Sequence, residues 1–143
     1  MMESKRFGSE IILRVDDGEE LLQAVESACS QHGVTSARVN GIGALSSARL
    51  RVINTANDGF VFRDFTEPME ITNIIGNITA DGDGLFLHLH LNAADREMRI
   101  YGGHVMNCVI VNTAEIWITE LSDGGLHRSE TAEGLLRKIE FDT

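Results

Sequence analysis

Residues 85–121 read LFLHLHLNAADREMRIYGGHVMNCVIVNTAEIWITEL, and the period of this stretch decides the fold. Apolar and polar positions alternate through it, so it predicts strands at 85–91, 97–101 and 105–121. In the last of these, Thr113, Glu115 and Trp117 share one alternation and Ile116 and Ile118 the other. His88 and His90 lie two apart, so a strand presents both imidazoles on one face, about 6–7 Å apart. Hairpin connections would set the segment carrying Gly102-Gly103-His104 beside the His88 strand.

Working towards the N-terminus, residues 60–65 and 69–79 also read as strands. Asp81-Gly82-Asp83-Gly84 has hairpin-turn chemistry and lacks the later glutamate of a calcium loop. Residues 37–54 read as β with a break at Gly41-Ile42-Gly43, carrying Ala48, Leu50 and Val52 on one face and Arg49 and Arg51 on the other. That Gly-x-Gly has no third glycine and no P-loop lysine, so it is no phosphate cradle. Residues 10–15 alternate as a first strand. Asp17 offers an N-cap with Glu20 three positions on, and Leu21, Leu22, Val25, Ala28 and Cys29 recur at helical spacing up to a stop at Gly33. One amphipathic helix among many strands predicts an α+β fold. We expect a single compact domain over 1–143 with a largely antiparallel sheet, its core at about 10–121. Residues 122–143 form an extension packing on that core, as a strand or a short helix.

Composition narrows the function. Twelve Lys and Arg stand against 22 Asp and Glu, a formal net charge of −10. Phosphate contacts dominate nucleic-acid affinity, so DNA binding by this chain alone is not expected. The first ten residues lack the apolar core of a signal peptide, and no apolar run suits a bilayer, so membrane insertion is not expected. Two cysteines without a C-x-x-C partner read as free thiols of a reducing compartment, and a cytoplasmic location follows.

Three of the five histidines fall within seventeen consecutive positions. His88, His90 and His104 are therefore the candidate metal ligands. Three protein imidazoles with one open position are what a reactive zinc site uses, whereas a structural zinc usually has four protein ligands. Zinc is the expected cofactor, with affinity falling below about pH 6 as the imidazoles protonate. Candidate proton-transfer groups are Glu115, a carboxylate within an apolar strand, and Glu70, on a strand that could flank the metal. Asn40, beside the glycine turn, is a candidate hydrogen-bond donor to a small-molecule ligand.

Several segments in order resemble one known family, the PPC domain, named for plants and prokaryotes. They are Asp17-Gly18-Glu19-Glu20, Gly41-Ile42-Gly43-Ala44, Glu67-Pro68-Met69-Glu70-Ile71, Gly76-Asn77-Ile78, His88-Leu89-His90, Gly102-Gly103-His104 and Thr113-Ala114-Glu115-Ile116. The resemblance implies a compact α/β fold with a mainly antiparallel sheet and a homotrimer. It also implies zinc on His88, His90 and His104 in the manner of some prokaryotic members. Plant members couple the domain to AT-hooks, and this chain has no Arg-Gly-Arg-Pro segment. The zinc motif is also similar, more distantly, to that of acetolactate decarboxylase. Two function classes follow: a metalloenzyme acting on a small carbonyl compound, and a non-catalytic, DNA-associated or regulatory interaction module.

Overall fold

Nine strands and one helix make up the computed structural model, which describes residues 1–54, 59–129 and 137–141. In chain order these are β1 (Glu3–Phe7), β2 (Glu10–Asp16), α1 (Leu21–His32), β3 (Ala37–Asn54), β4 (Gly59–Phe65) and β5 (Met69–Asp81). They continue as β6 (Gly84–Ala94), β7 (Ile100–Glu120), β8 (Leu126–Ser129) and β9 (Lys138–Phe141). This is the expected single α+β domain with a mostly antiparallel sheet.

The sheet closes on itself. β3 pairs with β5 and β7, β5 with β6, and β6 with the start of β7, so these four strands form a ring. β1 and β2 extend it from β7, and β4 lies along the second half of β3. Closure requires strong bending, and β3 supplies it through register shifts at Gly41/Gly43, Gly43/Leu45, Leu45/Ser47 and Arg49/Leu50. The expected break at Gly41-Ile42-Gly43 is therefore a bulge inside one continuous strand, which bends without ending.

A second expected gap is also absent, since β7 runs unbroken through Gly102-Gly103. A Cβ on Gly102 would stand 2.1 Å from Asn92 Oδ1, and one on Gly103 would stand 2.7 Å from the Arg51 carbonyl oxygen. The glycines admit β6 and β3 to close range on either side of β7. Residues 97–99 form a turn instead of a strand, with Asp95 Oδ1 accepting the Glu97 and Arg99 amides at 2.9 and 3.0 Å.

α1 buries Leu21, Ala24, Val25, Ala28 and Cys29, spaced i, i+3, i+4, i+7, i+8, and ends at Gly33 in the left-handed region. Its N-cap is Glu20 and not Asp17. The Glu20 carboxylate accepts the Gln23 amide at 2.9 Å and the Cys108 amide at 3.0 Å. Asp17 is drawn away because its Oδ1 accepts the Asn112 amide at 2.7 Å. The inward side chains of the ring complete the core with Val39, Leu45, Leu50, Ile74, Ile78, Leu89, Leu91, Ile110, Ile116 and Ile118. Val105, Cys108 and Ile110 are buried in this same core, while Met106 between them stays exposed on the outer face. Past residue 121 the described residues form strands, with β8 touching β5 in parallel at Ala80 and pairing with β9, while 130–136 and 142–143 of the expected extension lie outside the described residues.

Candidate metal centre

Leu89 and Leu91 point into the core, so His88 and His90 between and beside them project from the outer face of β6. Ring closure brings the start of β7 alongside, with His90 directly opposite His104. Their ring centroids are 5.0 Å (His88–His90), 5.2 Å (His88–His104) and 5.5 Å (His90–His104) apart. One nitrogen from each imidazole lies within 4.8 Å of the other two. Tetrahedral zinc with bonds of 2.0–2.1 Å needs nitrogens about 3.3 Å apart, a spacing inside the 4.8 Å limit of this cluster. Neither cysteine joins the cluster. Burial pushes both thiols up to about 12, as expected of inert core sulfurs.

The environment disfavours the charged forms of His88 and His104. Partial burial, followed by the Arg51 guanidinium and the other two rings, lowers His104 to about 4. Burial, His90, Arg128 and Arg51, in that order, lower His88. Protons and a metal ion compete for the same nitrogens, so a depressed pKa leaves the donors available at lower pH. This moves the window below the pH of about 6 expected of unperturbed imidazoles. Zinc is expected to stay bound at about pH 6 and to leave as the pH falls towards about 4. Competition with a chromophoric chelator across this range checks it, and a release midpoint at or above 6.5, the ordinary histidine value, contradicts it.

The other candidate residues sit elsewhere. Glu115 is exposed on β7 beside Ile42 of β3, with β5 lying between β3 and β6. That is three strand spacings from the strand of His88 and His90, on the order of 14 Å around the sheet. Glu115 is thus not part of the imidazole cluster, and the path around the sheet from it to His104 crosses β3, β5 and β6. Glu70 pairs with Ala94, four residues along β6 from His90. Glu70 and Glu115 instead share a groove of about 500 Å³ with Ile42, Thr72 and Thr113. Asn40 lies in the same cross-strand row as His90 but two strands away, with Ile75 between.

Two arginines that the sequence reading passed over stand at the centre. Arg51 is the cross-strand neighbour of His104, and its guanidinium lies 3.8 Å from the centroid of the Phe60 ring. Arg128, from β8, is buried and donates to Asn77 Oδ1 at 2.7 Å, Thr79 Oγ1 at 3.2 Å and the Arg137 carbonyl at 2.7 Å. Asn77 is itself the cross-strand neighbour of His88. Arg51 alternates outward from buried Leu50, which was a signal in the sequence. Its pairing with His104 depends on long-range register, which was not.

Comparison with known proteins places this geometry. The family model of the Plants and Prokaryotes Conserved (PCC) domain matches residues 2–122. The bifunctional protein GlmU of Synechococcus sp. (strain JA-3-3Ab) is 34% identical over 110 residues, covering 76% of this chain and 16% of that protein. The chain thus spans about one sixth of the length of the curated relatives it matches. A candidate DNA-binding protein of Bacteroides thetaiotaomicron has a solved structure with a TM-score of 0.92 at 26% identity, covering 99% of this chain and 98% of its own. A metal-containing protein of Archaeoglobus fulgidus shares the fold, with a TM-score of 0.85 at 24% identity over 98% of each chain. Acetolactate decarboxylase of Bacillus subtilis strain 168 shares it more loosely, with a TM-score of 0.57 at 15% identity over 92% of this chain and 61% of its own. With one family model covering most of its length and the whole fold recurring in such structures, the chain belongs to the Plants and Prokaryotes Conserved domain family.

Proposed function

We propose that this domain holds one zinc ion on His88, His90 and His104 and uses the remaining coordination position to act on a small carbonyl compound. The observation that carries the reading is the convergence of three imidazole nitrogens within 4.8 Å of one another. No carboxylate or thiolate belongs to that cluster among the described residues, so a fourth position would be left to water or substrate. Zinc bound there would polarise a carbonyl oxygen or activate water. The chain's own part is to disfavour protonation of His88 and His104 and to hold all three imidazoles on two paired strands. The metal-containing Archaeoglobus protein, which shares the fold, supports the reading.

Glu70 and Glu115 remain candidates for proton transfer only if a second copy brings their groove to another chain's histidines; Asn40 is the nearer hydrogen-bond donor. A homotrimer is the assembly we propose. Ile42, Ile75 and Trp117 stand 54%, 54% and 40% exposed on the outer face of the ring, and association would cover them. Light scattering is expected to give about three times the chain mass, and a value near 15.7 kDa contradicts the trimer. A cytoplasmic location suits the two free, buried thiols. No helix among the described residues is long and apolar enough to cross a membrane.

The Bacteroides structure favours a second reading, a DNA-associated module. A net charge of −10 opposes the counterion release that drives such binding. We expect no appreciable affinity for random or AT-rich duplex at physiological salt. Salt-dependent binding at micromolar concentration or tighter in an anisotropy titration would reverse the order of the two readings. The enzyme reading is tested by screening small carbonyl compounds against zinc-loaded and metal-free protein. It expects turnover that appears with zinc and vanishes in His104→Ala; turnover equal in both forms, or none in either, contradicts it.

A further inference from the structure

We infer that Arg51 makes the open side of the three-histidine centre a receptor for a small organic carboxylate. The inference rests on the zinc reading above and adds the class of ligand. A divalent ion on the three histidines brings two positive charges to a face that already carries Arg51 and Arg128. Among the described residues the cluster contains no carboxylate, and its cationic neighbours are Arg51, across the strands from His104, and Arg128, bonded to Asn77 beside His88. In a chain of net charge −10, this is a local cationic surface built around a ligand position. An anion would balance it, and a neutral ligand would not.

The two arginines differ in how they are used. All three guanidinium nitrogens of Arg128 donate to acceptors of its own chain, Thr79 Oγ1, Asn77 Oδ1 and the Arg137 carbonyl. Arg128 therefore braces the Asn77–His88 side of the centre and has little left to offer. Arg51 has no carboxylate or hydrogen-bond partner among the described residues, and its Nε is buried without an acceptor. Stacking on Phe60 at 3.8 Å fixes the plane of the guanidinium beside His104. A planar donor held in one orientation and short of acceptors suits the two coplanar oxygens of a carboxylate. A tetrahedral phosphate can also present two of its oxygens to the fork, so phosphate is the competing anion against which the carboxylate assignment is tested. An oxygen elsewhere on the same small molecule would remain for the metal.

The test is calorimetric titration of zinc-loaded protein with pyruvate, with its uncharged amide pyruvamide and with inorganic phosphate. Metal content is measured before each titration. Wild type is expected to bind pyruvate at least about tenfold more tightly than pyruvamide, the amide lacking the charge that Arg51 reads. Arg51→Gln is expected to keep its zinc and to lose that preference. Arg51→Lys, which keeps the charge but not the fork, is expected to lose about threefold or more in pyruvate affinity, and it carries the test if the glutamine variant does not fold. Equal binding of pyruvate and pyruvamide by zinc-loaded wild type overturns the inference and leaves the zinc reading standing. So does undiminished pyruvate affinity in either folded variant. Tighter binding of phosphate than of pyruvate overturns the carboxylate assignment. Wild type that takes up no zinc overturns the zinc reading itself, and this inference falls with it.

Discussion

Alanine in place of His88 or His104 is expected to lower zinc affinity by more than about 100-fold while leaving the metal-free fold intact. Removing groups that only orient a metal ligand typically costs 10–100-fold, and here a ligand itself is lost from a set of three. The fold should survive because these side chains project from the outer face of β6 and β7, while Leu89, Leu91 and Val105 beside them fill the core. Thermal unfolding of the metal-free variants should match that of metal-free wild type. Glu115→Gln serves as the control. Its carboxylate lies about three strand spacings from the strand of His88 and His90, so zinc content should not change. Retention of stoichiometric zinc by both histidine variants would show that the metal sits elsewhere.

Gly76→Ala is expected to damage fold and centre together. A Cβ at this position would stand 1.9 Å from the His88 carbonyl oxygen and 2.9 Å from both the His88 carbonyl carbon and Leu89 Cα. All three are backbone atoms, so no side-chain rotation relieves the clash, and β5 must separate from β6 where His88 is anchored. We expect a loss of about 3 kcal/mol or more, the upper end of the usual cost of overpacking, out of a total stability of about 5–15 kcal/mol. Zinc affinity should fall as well, because the His88 backbone moves. Gly84→Ala is the matched control, since its Cβ would meet nothing closer than the Asp81 carbonyl oxygen at 3.7 Å. Urea unfolding followed by zinc titration compares the two, and equal midpoints would contradict the close β5–β6 approach.

How far the sequence foretold this arrangement depended on whether local period carried the information. The helix is legible because Leu21, Val25, Ala28 and Cys29 recur at 3.6-residue spacing and Gly33 ends it. The histidine pair is legible because a strand period of two forces His88 and His90 onto one face. β1 is not, since Glu-Ser-Lys-Arg-Phe lies at the sheet edge and has no apolar alternation to show. Competition among Asp17, Glu19 and Glu20 for amides in β2, α1 and β7 decides the N-cap, and one of those elements, β7, is near only in space. The same holds for Glu115. Its alternation with Ile116 and Ile118 is plain in the sequence, but which residues lie across the sheet from it depends on ring closure, and that rests on bulges in β3. Arg51 was hidden for the same reason, because only the register of β3 against β7 sets it beside His104.

The most direct test of the central claim is X-ray absorption at the zinc edge on gently purified, zinc-reconstituted wild type, together with metal analysis. The account predicts about one zinc per chain and a first shell of three imidazole nitrogens at about 2.0–2.1 Å, completed by a light ligand from solvent. Persistent absence of zinc, or sulfur in the first shell at about 2.3 Å, would contradict it.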